Sequence, residues 1–235
     1  MDDAQLRFSR STGVWGEAAT EKLAGCHAAV FGLGGVGSYA AEALARSGVG
    51  ELTLIDHDVV TVTNINRQIH AVTATVGKAK TEVMTDRLLG VNPELKIHAL
   101  REFYTPQTAD KFFAAHFDYV LDAIDYVPGK ISLAAECDKR QMPLISCMGM
   151  GNKLDPTQIE VTDIFATQTD PLARVIRKKL RALGLQKLKV VYSPETPHRT
   201  DISENGRRVP GSVAFVPSAA GLIMASAVVR DVIRS

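Results

Sequence analysis

Residues 28–56 constrain the fold more than any other stretch. An apolar run, 28–31 (AAVF), feeds a glycine cluster, GLGGVG, in which Gly32, Gly34 and Gly37 satisfy G-x-G-x-x-G. A helical pattern follows over 36–46, and a second apolar run, 52–55 (LTLI), ends on Asp56. In this arrangement the first glycine makes a tight turn. The second lets the backbone approach a phosphate, and the third lets helix and strand pack closely. The helix start offers free N–H groups and the positive end of a dipole to the same phosphate. An acid ending the second strand is placed to accept hydrogen bonds from ribose hydroxyls. The unit predicts a nucleotide site and leaves open whether the nucleotide is NAD or ATP.

The 235 residues suffice for one large α/β domain with a substantial core. A net charge of +1 implies no global attraction to nucleic acid, so any such surface must be a local patch. Cys26, Cys137 and Cys147 are odd in number and lack C-x-x-C spacing. That argues against a disulfide framework and against a structural zinc site, and fits a reducing, cytoplasmic setting. The opening MDDAQLRFSR has no apolar core of the kind a signal peptide needs. Residues 209–229 carry no charge and are long enough to span a membrane. Pro210, Gly211 and Pro217 interrupt them, and the small-residue content predicts instead a buried strand over 213–216 and a core helix from Ser218.

Three further stretches bear on chemistry. The loop 57–75 is long and polar, and holds Asp58, Asn64, Asn66, Arg67 and Gln68; a loop of this length in a compact domain is commonly functional. A helix is expected from Gly77 to before Pro93, with Lys78 and Lys80 in its first turn. Cations there oppose the dipole at a cost of up to about 1 kcal/mol each. A phosphate about 4 Å away returns roughly 4 kcal/mol at an effective dielectric near 20, so the lysines hint at an anion. A fourth strand, 119–123, ends in DAID, which puts Asp122 and Asp125 at the carboxyl end of the sheet, where either an Mg²⁺ ligand or a helix N-cap would serve.

Strands at 96–100 and 143–147 and helices at 105–113 and 128–140 complete a parallel core. Beyond it, an extended run at 158–164 follows without a crossover helix, which predicts added antiparallel strands. The expected fold is thus α/β: a Rossmann-like, mostly parallel sheet with helices on both faces, extended by antiparallel strands in the C-terminal third. We divide it into a helical lead-in (1–26), a nucleotide-binding core (27–150) and a substrate-side extension with a closing helix (151–235). Asp170-Pro171 opens a helix with Ile176, Leu180 and Leu183 on one face and Arg174, Arg177, Lys178 and Arg181 on the other. The absence of acids from 174 to 189 makes that face a candidate contact for a polyanion such as nucleic acid, against the alternative of plain solvated surface. The polar, Pro/Gly-rich stretch 193–211 is expected to form a loop or flap.

Taken together, GLGGVG, LIDHD, TNINRQ, TVGKAK and DAID resemble the ThiF/MoeB-type, ubiquitin-activating-enzyme-like superfamily, whose members adenylate a carboxylate with Mg-ATP. The resemblance implies nucleotide contact at Gly35, ribose binding at Asp56, phosphate contacts from Asn64, Arg67 and Lys80, and Mg²⁺ on Asp125. It further implies that Arg10, in RFSR, is supplied across a homodimer interface. The sulfur-carrier adenylyltransferases of this superfamily carry two C-x-x-C zinc pairs, and this chain has neither, so no zinc is expected. No thioester cysteine is evident, and Cys147 is expected to be a buried thiol. DPTQIEVTDI, DPLARVIRKKLR and GSVAFVPSAAGL are similar to the branch that dehydrates threonylcarbamoyladenosine in tRNA next to the anticodon. That resemblance implies ATP, Mg²⁺, an Na⁺ or K⁺ ion with no ligands assigned, tRNA as partner, and room for a sulfur-transfer protein. The alternative within the superfamily is activation of the C-terminal glycine of a ubiquitin-like sulfur carrier. An NAD-linked oxidoreductase would leave Asn64, Arg67, Lys80 and Asp125 without a common purpose, and a non-catalytic nucleotide-binding scaffold would bind nucleotide without releasing pyrophosphate.

Overall fold

The computed structural model describes residues 3–204 and 206–235. Two helices lead in, α1 (Asp3–Trp15) and α2 (Glu17–Gly25). The alternation β1 (His27–Phe31), α3 (Gly37–Arg46), β2 (Glu51–Ile55), α4 (Lys80–Val91), β3 (Lys96–Leu100), α5 (Ala109–Phe112), β4 (Tyr119–Asp122), α6 (Val127–Lys139) and β5 (Leu144–Cys147) follows. The last third contributes β6 (Glu160–Asp163), α7 (Pro171–Ala182), β7 (Lys189–Tyr192), a small ribbon of β8 (Ser203–Glu204) and β9 (Arg207–Arg208), and α8 (Phe215–Arg234).

The main sheet runs β3-β2-β1-β4-β5-β7-β6. Every pairing is parallel except β6 with β7. The sheet is therefore the expected α/β one, with antiparallel character confined to the C-terminal edge. The chain moves from β1 outward to β2 and β3, then returns to place β4 on the other flank of β1. That reversal opens a crevice beyond the carboxyl ends of β1 and β4. Both faces are covered. Ala28, Val30, Leu52 and Leu54 pack under α3, α4 and α8, while Ala29, Phe31, Ile55 and Val120 face Phe112, Phe113 and Leu133 on the other side. The central strands are buried on both faces, hence their continuous apolar runs.

The uncharged stretch near the C-terminus is a core helix. α8 lays its small residues along α3, and a side chain at Gly221 would collide with the Val36 carbonyl and Ala40. Burial of Val216, Ala220, Met224, Ala225 and Val228 accounts for its apolar composition. The predicted strand over 213–216 does not form. Residues 213–214 are irregular, and the helix starts at Phe215 with Pro217 in its first turn, where a missing N–H leaves no helical bond unmade. Four apolar residues are too few for periodicity to separate strand from helix.

The helix expected from Gly77 starts instead at Lys80. Gly77 has φ +87°, and residues 77–79 run back along the previous loop through Gly77 N–H to Val60 O, Val60 N–H to Lys78 O and Lys80 N–H to Asp58 O. Lys78 thus lies outside the helix, and Lys80 is its first residue. Leu183, expected on the apolar face of α7, is 55% exposed because the helix ends at Ala182; Ala173, Ile176 and Leu180 fill that face.

Candidate functional site: a nucleotide cleft at the strand-order reversal

The crevice is a cavity of about 470 Å³. Its floor is the glycine loop with Ala123 and Ile124, and the 57–75 loop and the start of α4 form one wall. The Met148–Gly151 turn lies opposite, and Pro210–Ser212 overhang it.

The glycine loop is shaped by close approach. Gly32 has φ +89°, and a Cβ there would lie 2.8 Å from Ala123 O. A Cβ at Gly37 would collide with the Gly32 carbonyl, so helix and strand pack only without one. Gly34 and Gly35 line the cavity, with Gly35 set against Pro217 and Arg67; nothing lies within 4 Å of a Cβ placed on Gly34, so a side chain there would occupy ligand space alone.

Asp56 grips this loop. Its Oδ2 accepts the Leu33 N–H at 2.7 Å and its Oδ1 accepts the Asp58 N–H at 2.8 Å, while the residue stays 8% exposed on the cavity. Lys80, 5% exposed, donates to Asp58 Oδ2 at 2.7 Å and lies 3.8 Å from Asp56 Oδ2. The anion inferred beside Lys80 therefore has, in this structure, two carboxylates in its stead. Asn64 is buried against the cavity and accepts the Thr61 N–H at 3.1 Å. Arg67 lines the cleft, held by Nη1 donating to Thr63 O at 2.8 Å and Asn66 Oδ1 at 2.9 Å. Asn66 in turn donates to Ser212 O at 2.9 Å, tying this wall to the overhang.

The two acids of DAID diverge. Asp122 is fully buried beneath the cleft, bound by Lys130 Nζ at 2.9 Å to both oxygens and by Ser146. It has no access to a ligand, which corrects the expectation that it faces the nucleotide. Asp125 is exposed in the cavity. It does not cap α6, whose N-cap is Tyr126, and its carboxylate makes no hydrogen bond or ion pair among the described residues.

The stretch 193–211, expected as a loop or flap, is an anchored loop. Asn152, at φ 61°, accepts the Gly211 N–H at 2.6 Å and the Thr200 hydroxyl at 3.1 Å through Oδ1. Glu195 accepts the N–H groups of Leu154 and Asp155. Below, Lys153 is buried and bonds Asp170 Oδ2 at 3.0 Å and the carbonyls of Gly149 and Ser193 at 2.8 Å. Asp170 also caps α7 through Ala173 N–H at 2.7 Å. One buried ion pair thus fixes the cavity wall, the loop base and α7 together.

Sequence reasoning missed Phe103 and Tyr126, which form an aromatic rim with His57. His57, Phe103 and Tyr126 follow β2, β3 and β4; Phe103 lies 4.6 Å from the His57 ring and 5.1 Å from Tyr126. Their place just past the carboxyl ends of three strands was the available signal. It also missed Asn152 and Lys153, whose partners are remote in sequence.

Arg10 is exposed on α1 and does not line the cavity. The Phe8 ring packs on Gly48, beyond the far end of α3. A ten-residue helix spans about 15 Å, so α1 sits at the opposite end of α3 from the glycine loop. On α7, Arg174, Lys178 and Arg181 are exposed, with Arg181 stacked 5.3 Å over Phe165. Arg177 is committed to the fold: Nη1 donates to Thr167 O at 2.7 Å and Thr167 Oγ1 at 2.6 Å, which removes it from the predicted basic face. The cysteines are buried and free; burial pushes Cys26 up to about 11, and Cys137 and Cys147 up to about 12.

The ThiF family model matches residues 8–233. This chain belongs to the ThiF family. Among ThiF-family relatives, it is 46% identical over 241 residues to the tRNA threonylcarbamoyladenosine dehydratase of Bacillus subtilis, covering 97% of this chain and 95% of that one. It is 47% identical to the Escherichia coli dehydratase over 181 residues, 77% of this chain and 68% of that one. The solved E. coli dehydratase in complex with ATP superposes with a TM-score of 0.91 at 39% identity, covering 99% of this ThiF chain and 96% of that one.

Proposed function

We propose that this chain is a cytoplasmic, homodimeric enzyme that uses ATP to dehydrate threonylcarbamoyladenosine in tRNA. The observation that carries the reading is its reach: the likeness to the ATP-bound dehydratase extends past the nucleotide-binding strands through α7, the Asn152-anchored loop and α8. The whole chain, and not a shared nucleotide domain alone, is of that kind.

In this reading ATP lies across the glycine loop, with ribose on Asp56 and the nucleotide against Gly34 and Gly35. The carboxylate of the threonyl group attacks the α-phosphorus, the bond to the bridging oxygen breaks, and pyrophosphate leaves. Charge grows on the phosphate oxygens, and Arg67, Lys80, Asn64 and the partner subunit's Arg10 meet it. Lys80 exchanges Asp58 for phosphate as it does so. The carbamoyl group then attacks the acyl-adenylate carbonyl, AMP leaves and a proton is lost to solvent. The net change in the tRNA is loss of one water. Phosphoryl chemistry of this kind rests on positioning and charge stabilisation. No protein nucleophile enters, in keeping with thiols raised to about 11 and 12. Asp125 fits a magnesium ligand: it is an exposed carboxylate on the cleft without a partner among the described residues. A bound Mg²⁺ would neutralise phosphate charge there. The exposed Arg174, Lys178 and Arg181 contact the tRNA backbone.

The test is mass spectrometry of tRNA nucleosides after incubation with Mg-ATP. ATP-dependent loss of one water from threonylcarbamoyladenosine, with AMP and pyrophosphate formed, supports the proposal. Unchanged tRNA, together with pyrophosphate exchange on a Gly-Gly-tailed carrier protein, overturns it. Arg67→Ala and Lys80→Met are each expected to lower the rate on the order of a thousandfold.

A further inference from the structure

Where β1 and β2 begin, beside the middle of β3 and away from the cleft, two imidazoles and a carboxylate converge. His27 and Glu51 open neighbouring strands and are paired in register, and His98 sits on the edge strand opposite Thr53. His98 Nε2 lies 2.8 Å and His27 Nδ1 3.6 Å from the same oxygen, Glu51 Oε1. The three ligand atoms lie within 4.8 Å of one another.

We propose that His27, Glu51 and His98 form a binding site for a divalent first-row transition ion of the zinc class, through Nδ1, a carboxylate oxygen and Nε2.

The orientation of His27 is the main argument. Its Nε2 is engaged by Thr53 Oγ1 at 2.8 Å, and its ring meets Phe117 edge-on at 5.0 Å. In the tautomer whose Nε2–H donates to Thr53 Oγ1, the Nδ1 lone pair faces a carboxylate oxygen. At 3.6 Å that is no hydrogen bond, and two lone pairs facing each other repel unless a cation lies between them. Two donors bound at about 2.0–2.1 Å to one tetrahedral zinc stand about 3.3 Å apart, between the two separations seen here. The Thr53 contact is the outer hydrogen bond that fixes the tautomer of a ligating histidine. Imidazole and carboxylate donors suit zinc and its neighbours over magnesium. The lack of C-x-x-C pairs bears only on cysteine sites. His98 is half exposed, which leaves a fourth position open to water.

The experiment is a Zn²⁺ titration of chelator-stripped full-length protein against a chromogenic competitor, with the visible spectrum of the Co²⁺ form as a second readout. One equivalent is expected to bind, with a tetrahedral Co²⁺ spectrum. Glu51→Gln and His98→Ala should each weaken binding about tenfold or more and abolish the spectrum. His57→Ala is the control, because Asp56, His57 and Asp58 also cluster on the cleft. Binding unchanged in Glu51→Gln and His98→Ala, or lost only in His57→Ala, overturns the proposal. His98 is exposed on an edge strand, so His98→Ala leaves the core intact; circular dichroism of each variant verifies it.

Discussion

The carboxylate of Asp56 holds the backbone N–H of Leu33 at 2.7 Å, so the acid that ends β2 also fixes the turn of the glycine loop. Its other oxygen holds Asp58. In the proposed function, ribose binding and loop shape therefore depend on one side chain. Asp56→Ala should weaken ATP binding and also destabilise the fold by about 1–3 kcal/mol, because two N–H donors lose their acceptor. Asp56→Asn keeps one acceptor and should lose less stability. Urea unfolding with and without ATP separates the two effects; equal stability of Asp56→Ala and wild type would refute the clamp.

Gly34 and Gly37 should fail differently. Gly37→Ala forces a methyl into the Gly32 carbonyl and should lower stability by about 1–3 kcal/mol through overpacking. Gly34→Ala meets no protein atom and should melt like wild type while binding ATP at least about tenfold more weakly. Calorimetry of both proteins decides the matter.

Arg10 lies too far along α3 to serve its own cleft, so its proposed role requires a second copy. Arg10→Ala and Asp125→Ala subunits should each be inactive alone. Mixed and re-equilibrated, half the dimers are hybrids with one intact site of two, and about a quarter of wild-type turnover should return. No recovery in proven hybrids would place the arginine outside the partner's site.

The basic helix makes a salt-dependent prediction. Replacing Arg174, Lys178 and Arg181 together by Ala should reduce the slope of log K for tRNA against log salt by about 2–3, if each meets one phosphate. Arg177→Ala should instead reduce stability, since its guanidinium ties α7 to Thr167. An unchanged slope in the triple variant would leave α7 as plain surface.

His70 sets a pH dependence of folding. It is 2% exposed, and neither ring nitrogen has a hydrogen-bond partner among the described residues. Burial, with Lys80 and Arg87 adding positive charge, pushes it down to about 4. The unfolded chain protonates near 6.5, so between the two values it holds more protons than the native state, and stability falls as pH falls. The loss is complete near pH 4 and amounts to about 3 kcal/mol. His70→Leu should remove this part of the slope, making wild type lose about 2 kcal/mol more than the variant between pH 7 and 5. Parallel urea-unfolding profiles would refute it.

The sequence by itself determined the parallel core, the glycine turn, the acid at the end of β2 and the cap of α7. Each is local: an apolar run, a backbone conformation or a side chain bonding three residues onward. Only the tertiary structure decided what distant residues do to one another. Asp122 and Asp125 are three positions apart in one motif, yet Lys130 and Ser146 draw the first under the sheet while the second is left facing the cleft. Arg177 and Lys178 are neighbours, and only the first meets Thr167. Of the 213–216 run only Phe215 and Val216 joined a helix, α8, whose small residues pack along α3. The meeting of His27, Glu51 and His98 needed three strands in register. Periodicity reports which face of an element is buried, but a buried polar group is held by partners the chain brings from elsewhere, and those follow from topology.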